Sequence, residues 1–160
     1  MTGEVCNPFL FQTMMDKAKL EIDSSSDTLV AILIPGDFNM HGLAAKDTSV
    51  PNPNWQQMLD TFSYVTTTLG TMFPGVPVLS AVGNNDCYYH DSAPQVANAT
   101  DYYTQLRQTM FETVDANSAL LADPNFVDSW MQGGYYSTQL TDNLMLITLN
   151  GIYPFTSNDV

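Results

Sequence analysis

Two apolar runs limit most narrowly what this chain can fold into. LVAILI (29–34) and VPVLSAV (76–82) are continuous stretches rich in branched aliphatic residues. Each stops at a glycine followed by oxygen-bearing side chains: Pro35-Gly36-Asp37 after the first, Gly83-Asn84-Asn85-Asp86 after the second. An unbroken run of this kind is expected of a strand covered on both faces. Between the runs, from Trp55 to about Met72, residues Trp55, Met58, Leu59, Phe62, Val65 and Leu69 recur at helical spacing and predict one apolar helix face. A strand, a long helix-bearing crossover and a second strand predict parallel neighbours, or near neighbours, in one sheet. In that arrangement both polar clusters lie at the same end of the sheet.

The rest of the chain adds to this α/β frame. PFLFQTMMDKAKLE (8–21) reads as a helix with Pro8 near its first turn, and SSSD (24–27) as a loop. Residues 43–54 read as loop. Residues 100–115 read as another helix, with Tyr103, Leu106, Met110, Phe111 and Val114 as its apolar face. GYYSTQL (134–140) and NLMLITLN (143–150), joined by Thr141-Asp142, predict a hairpin. The expected order is α-β-α-β-α-β-β: a mixed sheet with parallel strands 29–34 and 76–82 and a C-terminal hairpin 134–150. Trp55, Trp130 and tyrosines 88, 89, 102, 103, 135 and 136 are expected in the core and at its rim. The last ten residues carry no pattern.

Bulk properties narrow the function classes. A chain of 160 residues suits one domain with a real core. Seventeen acidic residues against four basic ones give a net charge of −13, which argues against nucleic acid and anionic membranes as partners. Such a chain can still bind a phosphate ester if a metal ion supplies the positive charge. No stretch approaches the roughly 18 apolar residues of a membrane span. The start, MTGEVCNPF, shows neither the basic nor the apolar region of a signal peptide. Cys6 and Cys87 could form one bridge or stay free, and they lack zinc-finger spacing. Asn98-Ala99-Thr100 is a glycosylation sequon, of consequence only on a secretory route. No G-x-G-x-x-G, Walker or G-x-S-x-G sequence appears. Oligomeric state is open at this level.

Ligands collect beyond the carboxyl ends of parallel strands. Asp37 and the Asn84-Asn85-Asp86 cluster are therefore candidate donors for a hard or borderline divalent cation, since a carboxylate can bridge two cations and an amide oxygen can add a ligand. The same residues also suit ordinary turns.

Several stretches, in order, carry a resemblance. GDFNMHG (36–42) and GNND (83–86) resemble motifs of the calcineurin-like metallophosphoesterases. VCNPFLFQTMMDKAK (5–19), VPVLSAVGNNDCYYHDSAP (76–94) and GGYYSTQLTDNLMLITLN (133–150) resemble their acid sphingomyelinase-like branch and its endopolyphosphatase relatives. The resemblance implies a four-layer αββα sandwich and two divalent metals, zinc first, with manganese or iron as alternatives. It implies hydrolysis of a phosphodiester, phosphomonoester or polyphosphate by a metal-activated water, in a secreted, lysosomal or vacuolar setting. It makes Asp37 and Asn84 metal ligands and His41 a proton donor to the leaving group. Asn85 stands where most members have a histidine; its amide can donate a hydrogen bond but cannot transfer a proton. Asp86 is expected to orient the loop, and His90 to be structural or solvated.

The family's upstream Asp-x-His, its later lone histidine and its downstream Gly-His-x-His have no match, and His41 and His90 are the only histidines. The chain is thus expected to be a partial domain, active or catalytically incomplete. Half of a sandwich leaves apolar faces bare. Exposed hydrophobic surface is expected near strand 29–34 and the hairpin.

Overall fold

The computed structural model describes residues 7–153, apart from the side chain of Val96. Cys6 and residues 154–160, which include most of the patternless tail, lie outside the described residues.

The first helix, α1 (Pro8–Ser24), starts where the sequence predicts. The Asn7 side chain accepts from Phe9 N at 2.9 Å, and Pro8 occupies the first turn, where no N–H is needed. Helix α2 (Trp55–Met72) buries Met58, Leu59, Phe62, Thr66 and Leu69. Val65 is only partly buried; Thr66 takes the interior place because its hydroxyl has partners there. It donates to Phe62 O (2.9 Å) or Thr109 O (2.8 Å) and lies 2.7 Å from Thr113 Oγ1. This ties α2 to α3 (Ala99–Met110).

Helix α3 ends earlier than the expected residue 115. The chain leaves the helix after Met110 so that Phe111 enters one apolar cluster while Val114 enters another. A short helix α4 (Ser118–Leu121) and a ten-residue helix α5 (Pro124–Gly133) follow. Helix α5 has no counterpart in the sequence reading, although its end signals are clear. Asp123 Oδ1 accepts from Asn125 N at 2.9 Å, Pro124 opens the first turn, and Gly134 closes it at φ 67°. Trp130 of α5 is fully buried, donates from Nε1 to Tyr103 O at 2.9 Å and packs edge-on against Phe111 at 4.9 Å.

Strands β1 (Ile32–Ile34) and β2 (Val78–Ser80) are parallel, with Ile32 opposite Val78 and Ile34 opposite Ser80. Strands β3 (Tyr136–Thr141) and β4 (Leu144–Thr148) form the antiparallel hairpin. They do not join β1 and β2: the described residues form two separate two-stranded sheets rather than one mixed sheet. Side chains explain the separation. Beyond β1, the backbone of β2 is already satisfied: Asn117 Oδ1 accepts from Val78 N (3.1 Å), and Asn117 Nδ2 donates to Val78 O (3.0 Å). The Tyr136 hydroxyl donates to Ser80 O at 3.1 Å. Two side chains thus occupy the edge where a third strand would bond.

Two apolar clusters cover β2. Val78 joins Leu69, Phe73 and Val114, with α1 residues Phe11, Met15 and Ile22 packed around them; Leu79 joins the larger cluster of α2, α3 and α5. Coverage of both faces therefore holds for β2 but not for β1. Ile32 and Ile34 pack on the smaller cluster, while Leu33 points the other way and is 54% exposed. The hairpin is also one-sided: Tyr136 and Thr148 are buried, whereas Met145, Ile147 and Leu149 are 58%, 66% and 72% exposed. Apolar surface is bare at both places where the sequence reading expects it.

Candidate functional site

The loops leaving β1 and β2 meet backbone to backbone. Gly36 has φ 101°, and a Cβ there would lie 2.6 Å from Gly83 N. A Cβ on Gly83 would overlap both the backbone N and the Oδ1 of Asp37. Only two glycines allow this approach. Asp37 itself has φ 56°, one of two non-glycine residues in the left-handed region among the described residues; the other is Asp91, at 57°. An aspartate is among the few side chains that tolerate it.

Asp86 latches the two loops. Its Oδ1 accepts from Asn39 N (3.1 Å) and Asn39 Nδ2 (3.3 Å), and its Oδ2 accepts from Gly83 N (3.0 Å). It is fully buried, and burial pushes its carboxyl up from 3.8 to about 6, against the pull of the N–H groups of Gly83, Asn39 and Asp37. Asp86 thus orients the loop, as its place after Asn85 suggested.

The four site residues named from the sequence share one rim. Asp37 Oδ1 accepts from Asn85 N at 3.1 Å. Asn85 Nδ2 lies 3.4 Å from His41 Nε2, while Asn85 Oδ1 is buried with no hydrogen-bond partner among the described residues. Asn84 Nδ2 donates to Asp91 Oδ1 at 2.8 Å, so its amide is oriented by a carboxylate. The side chains of the two expected metal ligands nevertheless face different spaces. Asp37 borders a cleft of about 790 Å³ between the loop, α1 and α2, with Phe38 and Tyr64 among its walls. Asn84 and Asp91 border a smaller one of about 270 Å³ beside Gly151 and Ile152.

His90 is not merely solvated. Its Nδ1 lies 2.8 Å from Asp91 Oδ2, and its ring centroid lies 6.3 Å from that of His41. Pairing of Ala45 with Tyr89 holds this segment against the loop, with His90 N donating to Ala45 O at 2.8 Å. The sequence reading missed Asp91; its only signal was a His-Asp pair shortly after GNND. Cys87 is buried and forms no disulfide among the described residues, and burial pushes its thiol far above the ordinary range. It is a packing residue rather than a nucleophile or ligand.

The donor chemistry of Asp37 and Asn84, a carboxylate and an amide oxygen, suits a hard divalent cation. Asn85 Oδ1, an orphaned buried acceptor, marks the same rim as unfinished. Among the described residues no group of three or more His, Cys, Asp or Glu is placed to hold a metal. No helix among them is long and apolar enough to cross a membrane. Compared with known proteins, the chain matches no family model and no curated protein.

Proposed function

We propose that this chain forms part of a metal-dependent phosphoric ester hydrolase of the acid sphingomyelinase-like phosphodiesterase type, within a four-layer αββα sandwich. The observation that carries the reading is the meeting of two glycine-ended loops at the carboxyl ends of parallel β1 and β2. That meeting gathers Asp37, His41, Asn84 and Asn85 at one rim. Asp37 and Asn84 would each contribute one donor toward a divalent cation, completed by donors beyond this pair. When bound, the cation supplies the positive charge that a −13 chain lacks and lowers the pKa of a water. Asn85 can donate its amide hydrogen to a phosphoryl oxygen but has no proton to give. His41, beside it, is the group able to hand a proton to the departing ester oxygen. Endopolyphosphatase-like hydrolysis uses the same groups.

A second reading is a catalytically incomplete chain. It is favoured by the separate clefts of Asp37 and Asn84. One pair of measurements separates the two: turnover of a chromogenic phosphodiester with zinc or manganese, and calorimetry with the same metals. Activity predicts metal-dependent turnover that Asp37→Asn abolishes and His41→Ala lowers by about 10²–10⁴-fold. A folded chain with neither turnover nor metal binding sinks the active reading and leaves the second.

A further inference from the structure

The sequon Asn98-Ala99-Thr100 lies at the start of α3, where the structure gives it a setting that the triplet alone does not have. Asn98 is exposed at the N-cap position, yet its side chain makes no capping hydrogen bond. Its amide oxygen is therefore not committed to the helix N–H groups, and the amide can turn outward. Thr100 is exposed as well.

Asn98 also forms part of the wall of a cleft of about 360 Å³, within the range of small-ligand sites. Half of the other walls are aromatic: Trp55, Tyr88 and Tyr89, with Tyr102 behind them. Trp55 stacks on Tyr102 at 5.6 Å and tilts against Tyr88 at 5.1 Å, and Tyr88 meets Tyr89 edge-on at 4.9 Å. Gln105 Oε1 accepts from Trp55 Nε1 at 2.7 Å, which holds the indole and leaves the Gln105 amide hydrogens to donate elsewhere. Asp101, one helical turn beyond Asn98, places an acceptor at the rim. Flat aromatic faces beside amides and one carboxylate match a pyranose ring, which has an apolar C–H face and a hydroxylated edge.

We propose that Asn98 carries an N-linked glycan and that its first N-acetylglucosamine packs into this aromatic cleft. In the transfer, Asn98 Nδ2 attacks C1 of a polyprenyl-pyrophosphate-linked oligosaccharide. The N–C1 bond forms, the C1–O bond to pyrophosphate breaks, the lipid pyrophosphate leaves, and one amide proton passes to a base of the transferase. The sugar then covers apolar ring surface that the chain's own residues leave open. This inference rests on the secreted, lysosomal or vacuolar setting that the resemblance implies, and not on the roles proposed for Asp37, His41, Asn84 and Asn85.

The test is the full chain directed through the secretory route of a eukaryotic cell, compared with Asn98→Gln and with the same protein trimmed by an endoglycosidase to a single N-acetylglucosamine. Mass spectrometry is expected to find the glycan on Asn98 and to lose it in N98Q. The trimmed protein is expected to keep the Tm and tryptophan emission of the glycosylated form, whereas N98Q falls by about 2–4 °C and shifts its emission. Trp130 is fully buried, so the emission change reports Trp55. A folded, secreted chain without a glycan overturns the proposal. So does a glycan whose loss in N98Q moves neither Tm nor emission, or a single remaining sugar that behaves like none.

Discussion

Asp86 is where residue-level chemistry and loop geometry depend on each other most directly. A fully buried carboxylate accepts hydrogens from both loops, and burial raises its pKa to about 6. Between pH 4 and 6 the folded state therefore keeps a proton that the unfolded chain has given up. The stability from this group is complete below about pH 4 and is lost as the pH rises through 6, amounting to about 3 kcal/mol at most. Asp86→Asn keeps one acceptor oxygen and turns an NH₂ toward the other donors, costing about 1–3 kcal/mol at pH 4. It also removes the titration. Urea unfolding of both proteins in metal-free buffer from pH 4 to 7 is expected to show the wild-type advantage shrinking as pH rises, to zero or to a reversed sign; a constant difference would count against it. The sequence named Asp86 for a loop-orienting role, but its burial depends on Asn39, 47 positions away, and no local pattern shows that.

At the scale of elements, local signals located the helices better than the sheet. Pro8 and the apolar spacing of α2 marked two helices, and the two aliphatic runs marked a parallel pair. What local pattern could not show is how the outer edge of β2 is closed. Asn117, fully buried, bonds both the N–H and the C=O of Val78, as a neighbouring peptide in a sheet would. Asn117→Ala leaves both groups buried and unpaired and should cost at least about 2 kcal/mol by denaturant titration. A loss below about 0.5 kcal/mol would mean that this edge is satisfied otherwise. Helix α5 escaped notice for a different reason. Its Asp-Pro start and Gly-Gly end were present, but its inward face depends on Phe126 and Trp130 meeting Phe111 and Tyr136 of the neighbouring elements.

For the whole molecule, the uneven covering of its sheets is the main physical fact. The aromatic interior is dense between α3, α5 and β3, yet Leu33 and the Met145, Ile147, Leu149 stripe stay in solvent. Contiguous apolar exposure of this kind is unusual on a monomer surface. Ile147→Lys should change the unfolding free energy of the chain by no more than about 0.5 kcal/mol, because among the described residues that face stays mostly in solvent. It should also lower the binding of a fluorescent apolar dye. A larger destabilisation would show that the face is covered. The acidic surface acts at the same scale: with 17 acidic side chains and four basic ones, the rim that gathers Asp37 and Asn84 repels phosphate unless a cation joins it.

By itself the sequence determined the α/β class, the parallel pairing of the two aliphatic runs and the convergence of Gly36-Asp37 with Gly83-Asn84, because strand handedness and crossover rules act on local pattern. It also determined that Asn85 cannot give up a proton, since that belongs to the side chain alone. Tertiary structure decided the rest: that Asn117 and Tyr136 keep the hairpin off β2, that Asp91 holds the amide of Asn84, and that Asp37 and Asn84 face different clefts. The first and last depend on groups far apart in the chain, and the Asn84–Asp91 contact on how the short segment between them folds back; none is visible in a local pattern.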